Sequence, residues 1–504
     1  MPLRLARSNL AALGTRARIP AYAAADLRGG IVHIGVGNFH RAHQAVYLDD
    51  LFGSGVDRDW GLIGAGVHAD DDAMRRDLSA QDLLTTVVEQ DVRRSDVRIT
   101  GSMVDFLPAG DADAILARLD DPAIRIVSLT ITEGGYYMDP ATQRFDATHP
   151  DIRADAIALD GIPDAPRSAR PRTVFGLLVA ALLRRRAAGI TPFTVLSCDN
   201  VQGNGEVTRN AVAGVASLVS PTLAQWVQEC VAFPGSMVDR ITPATTDRER
   251  ALLAKTHGIV DARPVFCEAF RQWVVEDRFP AGRPALENVG VQFVTDVQPF
   301  ERMKIRILNG GHAAIAYPAG LLDIHFVHEA MQEPLINAFL SKLLDDEIIP
   351  CVPPVPSTDL QRYKAQVIER FGNPAIGDTI RRLCQDGSNR QPKFILPSVA
   401  SRLAEGRSID GLALVGALWC RYCHGETESG AAIEPNDPNW SRLRAVAIEA
   451  RRDPRAWLGM TDIFGDVGAN PVYAGAFCRA LERVWQEGSR AVLARYVDAF
   501  AASA

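Results

Sequence analysis

The chain has 504 residues, 47% of them apolar and 23% charged, an ordinary balance for a globular protein that buries a large core. A net charge of −7 argues against a nucleic-acid partner. No stretch reaches the roughly 18 consecutive apolar residues of a membrane span. Eight scattered cysteines make no disulfide framework, so a reducing cytoplasm is the expected compartment.

Leu3 to Leu13 is broken by Arg4, Arg7, Ser8 and Asn9 and lacks the apolar centre of a secretory signal. Short β-branched runs then alternate with helical patterns. Ile31 to Gly35, Trp60 to Val67, Val97 to Met103, Ile124 to Thr132 and Phe193 to Cys198 read as buried strands. Ala42 to Leu51 and Val174 to Ala188 read as helices, the second ending in Arg184-Arg185-Arg186, a basic run expected to face water. The alternation predicts a parallel sheet covered on both faces. After a strand-like Val289 to Val297, helical patterns take over: Ala313 onward, Val327 to Leu344, Asp359 to Arg370, Leu412 to Tyr422, Trp440 to Arg452 and Ala474 to Phe500. The expected fold is α/β, with a Rossmann-type, mostly parallel domain over 1–297 and a mostly helical domain over 298–504.

The first strand runs into Gly35-Val36-Gly37-Asn38-Phe39-His40-Arg41. A glycine-bearing turn between strand and helix lets backbone N–H groups approach a pyrophosphate. The third glycine of the usual pattern is replaced by His40, so the position at the first strand carries the dinucleotide reading. Gly35, Gly37, Asn38 and Phe39 are its candidate residues. Asp70 and Asp71 follow the second strand, where a carboxylate can bind an adenosine ribose and repel a 2′-phosphate. A helix N-cap explains the same residues equally well. Thr130 to Tyr136 follows a further strand; its glycines are expected to border the nicotinamide, with Thr132 and Glu133 as candidate cofactor-binding residues.

Phe300 to His312 carries the candidate chemistry. On a regular helix Glu301, Lys304, Asn309 and His312 fall within an arc of roughly 140°. Hydride transfer from an alcohol needs a group to take the hydroxyl proton and donors to hold the oxygen. A lysine can do the first when burial lowers its pKa from about 10.4. An asparagine and a histidine can do the second. A solvated charged face fits the Glu301 and Lys304 spacing too.

Several separated blocks are more specific. They are His33 to Gln44, Ser128 to Tyr136, Ser197-Cys198-Asp199-Asn200, Phe233 to Pro243 and Met303 to His312. On these blocks the chain resembles the polyol-specific long-chain dehydrogenases over nearly its whole length. The resemblance implies an NAD-dependent oxidation of a sugar alcohol, D-mannitol to D-fructose first among the candidates, without a metal. It implies Lys304 as general acid–base, Asn200 and Asn309 as the amides around the reacting oxygen, and His312 as a substrate-orienting ring. Asp239 and Arg382 match residues that bind the polyol chain. Arg390 stands where some relatives have lysine, replacing a point charge by a planar fork. Asp70 and Asp71 match an acidic pair that favours NAD, and the resemblance suggests a monomer. Glu301, one turn before Lys304, is expected to relay the proton to solvent. Arabinitol or sorbitol oxidation, or reduction of a hexuronate held by Arg382 and Arg390, are the alternatives. A non-catalytic NAD-binding regulator would not need Lys304, Asn309 and His312 together.

Two motifs point elsewhere. Cys420-Arg421-Tyr422-Cys423-His424 has the spacing of a redox or haem-attachment motif. It ends an apolar helix, so buried structural thiols are expected. His40 and His43 could chelate a metal, but the resemblance places them beside the dinucleotide.

Overall fold

The structure, a computed structural model, describes residues 2–68, 71–92, 94–139, 142, 144–159 and 170–498. Asp70 lies outside the described residues. The chain divides into two compact units, Met1–Val297 and Gln298–Ala504. Among the described residues no helix is long and apolar enough to cross a membrane.

The first unit is built on five strands: β1 (Gly29–Ile34), β2 (Gly61–Ala65), β3 (Met103–Phe106), β4 (Ile126–Leu129) and β5 (Thr194–Ser197). Their order is β3-β2-β1-β4-β5 and every pairing is parallel, with Ile31 opposite both Leu62 and Ile126. This is the predicted Rossmann-type sheet. The two-residue period of a strand sends successive side chains to opposite faces. Val32, Ile34, Ile63, Val127 and Leu129 enter one core with the helices Ala112–Leu119, Val174–Ala187 and Asn204–Val219. Ile31, Leu62, Ile126 and Leu196 enter the other with the helix Gln44–Gly53 and Trp273. Both faces are therefore dry, which parallel strands require.

Two expectations need correction in this unit, and one sheet is added to it. Val97 to Met103 is not one strand: Ser95–Thr100 pairs antiparallel with Thr85–Gln90, while Met103 begins β3 in the parallel sheet. Gly101 and Ser102 carry the chain between the two sheets, and the Ser102 carbonyl accepts the Leu62 N–H at 3.0 Å. A further sheet sets β7 (Gln272–Glu276) between β6 (Ser236–Asp239), antiparallel, and β8 (Gln292–Val294), parallel; only β8, within the strand-like Val289 to Val297, was expected. The basic run does end its helix, but Arg185 is 2% exposed. Its guanidinium donates to the carbonyls of Leu119 and Thr191 at 2.8 and 2.9 Å, so it ties loops together instead of facing water.

The second unit is helical. The helix Asp410–Cys423 is its most buried element and packs against Gly310–Leu321 and Pro471–Glu487. Trp419 meets the Trp457 ring edge-on at 4.8 Å. Two helices expected to be continuous are divided. Pro334, which cannot donate a backbone hydrogen bond, separates Val327–Gln332 from Pro334–Leu343, and Gly488 at φ +82° separates Pro471–Glu487 from Ser489–Asp498.

Candidate active site

In the first unit β1 ends at Ile34, and Gly35-Val36-Gly37 turns the chain into the helix Asn38–Ala42. Gly35 has φ +94°, and a Cβ there would stand 2.0 Å from the Thr130 carbonyl oxygen. Only glycine fits. Gly37 has an ordinary φ of −97°, and the nearest atom to an added Cβ is 3.9 Å away, so that side of the turn is open. The turn leaves the central strand where the strand order reverses, which is where open α/β sheets hold their ligands.

A polar chain supports the turn from below. Thr130 Oγ1 donates to the Gly35 carbonyl at 2.6 Å, and His33 lies 2.8 Å from Ser128 Oγ and 2.9 Å from Thr130 Oγ1. His33 stacks on His40 with ring centroids 3.4 Å apart. Burial lowers the His33 pKa to about 3, and burial together with His33 and Arg41 holds His40 well below the ordinary value. His43, also lowered to about 3 by burial, stacks on Phe39 at 4.8 Å. Asn38 donates to the Pro243 carbonyl and Thr245 Oγ1 and accepts from Arg41 at 2.6 Å, fixing the helix start.

Asp71 opens the helix Asp71–Ser79, and its carboxylate accepts the His68 N–H at 3.1 Å. Thr132 and Glu133 are exposed at the end of β4, and Thr132 has a left-handed φ of +62°. That conformation is held by Asp199, which accepts the N–H groups of Ile131 and Thr132 at 2.9 and 3.0 Å and the Tyr136 hydroxyl at 2.8 Å. Burial raises the Asp199 pKa against these hydrogen bonds. Sequence reasoning passed over Asp199, although it sits inside a block that had been singled out. Its neighbour Asn200 is exposed, and Asp239 ends β6 in a buried position.

In the second unit the segment carrying Lys304 is not a regular helix. Gln298–Met303 is α, Lys304–Asn309 is π, and Gly310–Leu321 is α again. Residues five apart on an α-helix differ by about 140° around the axis. In a π-turn, closed by i→i+5 bonds, they lie one above the other. The π segment therefore aligns Lys304 with Asn309, which a regular helix would leave at opposite edges of the face. Arg306 anchors it, donating to the Cys351 carbonyl and, at 3.1 Å, to Ser401 Oγ. Glu301 and Lys304 are only 6% and 7% exposed, so the solvated-face reading of that spacing is excluded.

His312 stacks on Phe371, centroids 3.9 Å apart and planes 13° apart, and its buried Nε2 has no hydrogen-bond partner among the described residues. Burial, with Arg382, Arg370 and Arg390 nearby, pushes its pKa well below the ordinary value, so the ring is neutral. Arg382 donates from one edge, through Nε and Nη2, to both oxygens of the Asp378 carboxylate, and Arg390 donates to the carbonyls of Leu383 and Arg382 at 3.0 and 3.3 Å. The structure thus brings His312, Arg382 and Arg390 together. Phe371 and Asp378 were missed. Asp378 shows the i,i+4 acid–base spacing with Arg382, a pattern too common to single out.

Residues 29–288 match the mannitol dehydrogenase Rossmann domain and residues 296–485 the mannitol dehydrogenase C-terminal domain. The chain belongs to the mannitol dehydrogenase family. A member from Cereibacter sphaeroides, a mannitol 2-dehydrogenase, is 57% identical over 95% of this chain and 98% of that protein. The mannitol 2-dehydrogenase of Neosartorya fischeri is 40% identical over 99% of this chain and all of that one. Among solved structures, the Pseudomonas fluorescens mannitol 2-dehydrogenase in ternary complex with NAD and D-mannitol superposes with a TM-score of 0.87 at 42% identity, covering 98% of this chain and 100% of that one. A substrate-free D-sorbitol dehydrogenase gives the same TM-score at 33% identity, covering 97% of this chain and 100% of that one. Family membership accounts for the resemblance read from the separated sequence blocks.

Proposed function

We propose that this protein is an NAD-dependent polyol dehydrogenase interconverting D-mannitol and D-fructose, with Lys304 as general acid–base and no metal. Full-length relatives that are mannitol 2-dehydrogenases support the substrate, and the NAD-bound family structure supports the cofactor. The observation that carries the chemistry is Lys304, buried at 7% exposure at the head of a π-turn that ends on Asn309.

The cofactor fits the first unit. Gly37 leaves open space at the sheet's switch point, and Gly35, Asn38 and Phe39 complete the turn. Thr132 and Glu133 supply an exposed edge beside it, and Asp71 offers a carboxylate after β2. Bound NAD supplies the acceptor for the carbinol hydride. Lys304 takes the hydroxyl proton, Asn200 and Asn309 hold the oxygen, and Glu301 passes the proton outward. His312, Asp239, Arg382 and Arg390 bind the remaining hydroxyls. His312 is suited to this because a neutral ring with a buried, unpartnered Nε2 has hydrogen-bonding capacity left for a hydroxyl.

Metal independence is supported by the donor set. Among the described residues no group of three His, Cys, Asp or Glu side chains is arranged to hold an ion. Of the candidate pair His40 and His43, the second commits its Nε2 to the Gln272 carbonyl at 2.9 Å. Full activity after exhaustive chelation is expected. The family resemblance supports a monomer, tested by light scattering, and the free, scattered cysteines support a cytoplasmic protein, tested by fractionation.

The deciding experiment follows NADH absorbance with mannitol, sorbitol, arabinitol, fructose and fructuronate, each with NAD(H) and NADP(H). Mannitol and fructose with NAD(H) should give the highest kcat/KM. Lys304→Ala should abolish turnover in both directions and leave NADH binding intact; retained turnover rejects the assignment.

A further inference from the structure

We propose that Asp378 is a specificity-determining residue, which reserves the site around Arg382 for uncharged sugar chains and turns away substrates that end in a carboxylate. The inference rests on the proposed function in one respect: that Arg382 meets the substrate.

A guanidinium recognises a carboxylate best through two parallel N–H donors on one edge. Arg382 has already committed its Nε–Nη2 edge to a carboxylate that balances its charge, leaving only the end-on Nη1–Nη2 pair. Its Nε donates to Asp378 Oδ1 at 2.5 Å and its Nη2 to Asp378 Oδ2. The acid is the better fixed partner, with a side chain 9% exposed against 48% for Arg382. Its backbone is fixed too, since the Asp378 carbonyl accepts the Val327 N–H at 3.0 Å. Asp378 is thus an internal carboxylate seated where an incoming one would bind.

The neighbouring arginine is tethered as well. Arg390 Nη1 donates to the carbonyls of Leu383 and Arg382 at 3.0 and 3.3 Å, which uses one prong of its own. A substrate carboxylate would therefore meet an Arg382 whose charge is already balanced, and would bind against the like charge of Asp378. A hydroxyl asks for less. It accepts one N–H and donates one O–H, and can use the remaining Arg382 hydrogens one at a time or meet the unpartnered Nε2 of His312. The arginine cluster that looked from sequence like a carboxylate receptor is therefore a polyol grip, because one of its members is neutralised in place.

The test compares kcat/KM for fructose and for fructuronate, with NADH, in the native protein, Asp378→Asn and Arg382→Ala. The native protein should prefer fructose. Asp378→Asn should raise the fructuronate-to-fructose ratio about five- to tenfold, modest because Arg382 is half exposed and its charge partly screened. Asp378→Ser carries the same expectation should the asparagine variant not fold. Arg382→Ala should raise KM for fructose. An unchanged ratio in the Asp378 variants, with KM raised in Arg382→Ala, overturns the role of Asp378 alone. Unchanged KM for both substrates in Arg382→Ala overturns the placement of Arg382 at the substrate, and this inference with it. A native preference for fructuronate also overturns it.

Discussion

Gly35 and Thr130 meet across the parallel sheet so closely that a single methyl group on residue 35 would stand 2.0 Å from the Thr130 carbonyl oxygen. Two residues on, Gly37 has no such neighbour. The two glycines of one turn therefore answer to different demands, the first to the fold and the second to whatever occupies the open side.

Substitution should separate them. Gly35→Ala is expected to destabilise the protein by about 2–4 kcal/mol, through the backbone clash and the positive φ. Gly37→Ala should leave the melting temperature nearly unchanged and weaken NADH binding at least about tenfold, since its Cβ would enter the space a pyrophosphate needs. Thermal melts alongside NADH fluorescence titration check both. Unimpaired NADH binding by Gly37→Ala would remove the turn from the cofactor site.

The π-turn makes a second pair separable. Lys304→Arg keeps a positive charge but not a group that gives up its proton. A purely electrostatic role would tolerate it, whereas a general acid–base would lose about a hundredfold to ten-thousandfold in kcat. Asn309→Ala should cost about a hundred- to thousandfold in kcat with little change in NADH affinity. Single-turnover rates at saturating cofactor read both, and a near-native rate for either variant contradicts its assigned role.

What could be read from the sequence followed what each residue's neighbours along the chain determine. Ile31-Val32-His33-Ile34 is buried on both faces and reads as a strand wherever it is placed. The break at Gly101 was not legible, because Ser95–Thr100 and Met103–Phe106 carry similar residues and differ only in which sheet they join. The π-turn was hidden for a related reason: α and π helices share residue types, and one extra residue per turn leaves no compositional mark. Spacing alone left open whether Glu301 and Lys304 faced water, a question of tertiary burial. Arg382 could be named, but not the fact that Asp378 holds its fork, which depends on the fold closing around residue 378.

The Cys-x-x-Cys motif gives a third prediction. Cys420 and Cys423 are each 1% exposed, and burial pushes both thiols well above their ordinary pKa. A thiol reagent applied to native protein at neutral pH should label Cys230, which is exposed, and reach Cys420 and Cys423 only on unfolding. Mass spectrometry of the labelled peptides decides it. Rapid native labelling of the pair would revive a redox role.

The buried histidines give the last prediction, and its sign can be worked out. His33 and His43 have pKa values lowered to about 3, and His40 is held well below the ordinary 6.5. A group that stays neutral in the folded state but protonates in the unfolded chain favours unfolding once pH drops below its unfolded pKa. Stability is therefore full above about pH 6.5 and declines as the pH falls toward 3. Each ring contributes about 1 kcal/mol of loss between pH 6.5 and 5.5, roughly 3 kcal/mol for the three. The carboxyls of Asp199 and Asp261, raised by burial, act with the opposite sign, stabilising the fold as they protonate above the ordinary carboxylate range. Urea unfolding at pH 7.5, 6.5 and 5.5 should show the decline, and His40→Phe, which keeps a ring against His33 without a titrating nitrogen, should remove about a third of it. The readout is the slope against pH, so a change in baseline stability does not obscure it. A stability that is flat from pH 7.5 to 5.5 would mean these rings accept protons in the folded state, and the dry support beneath the Gly35 turn would have to be redrawn.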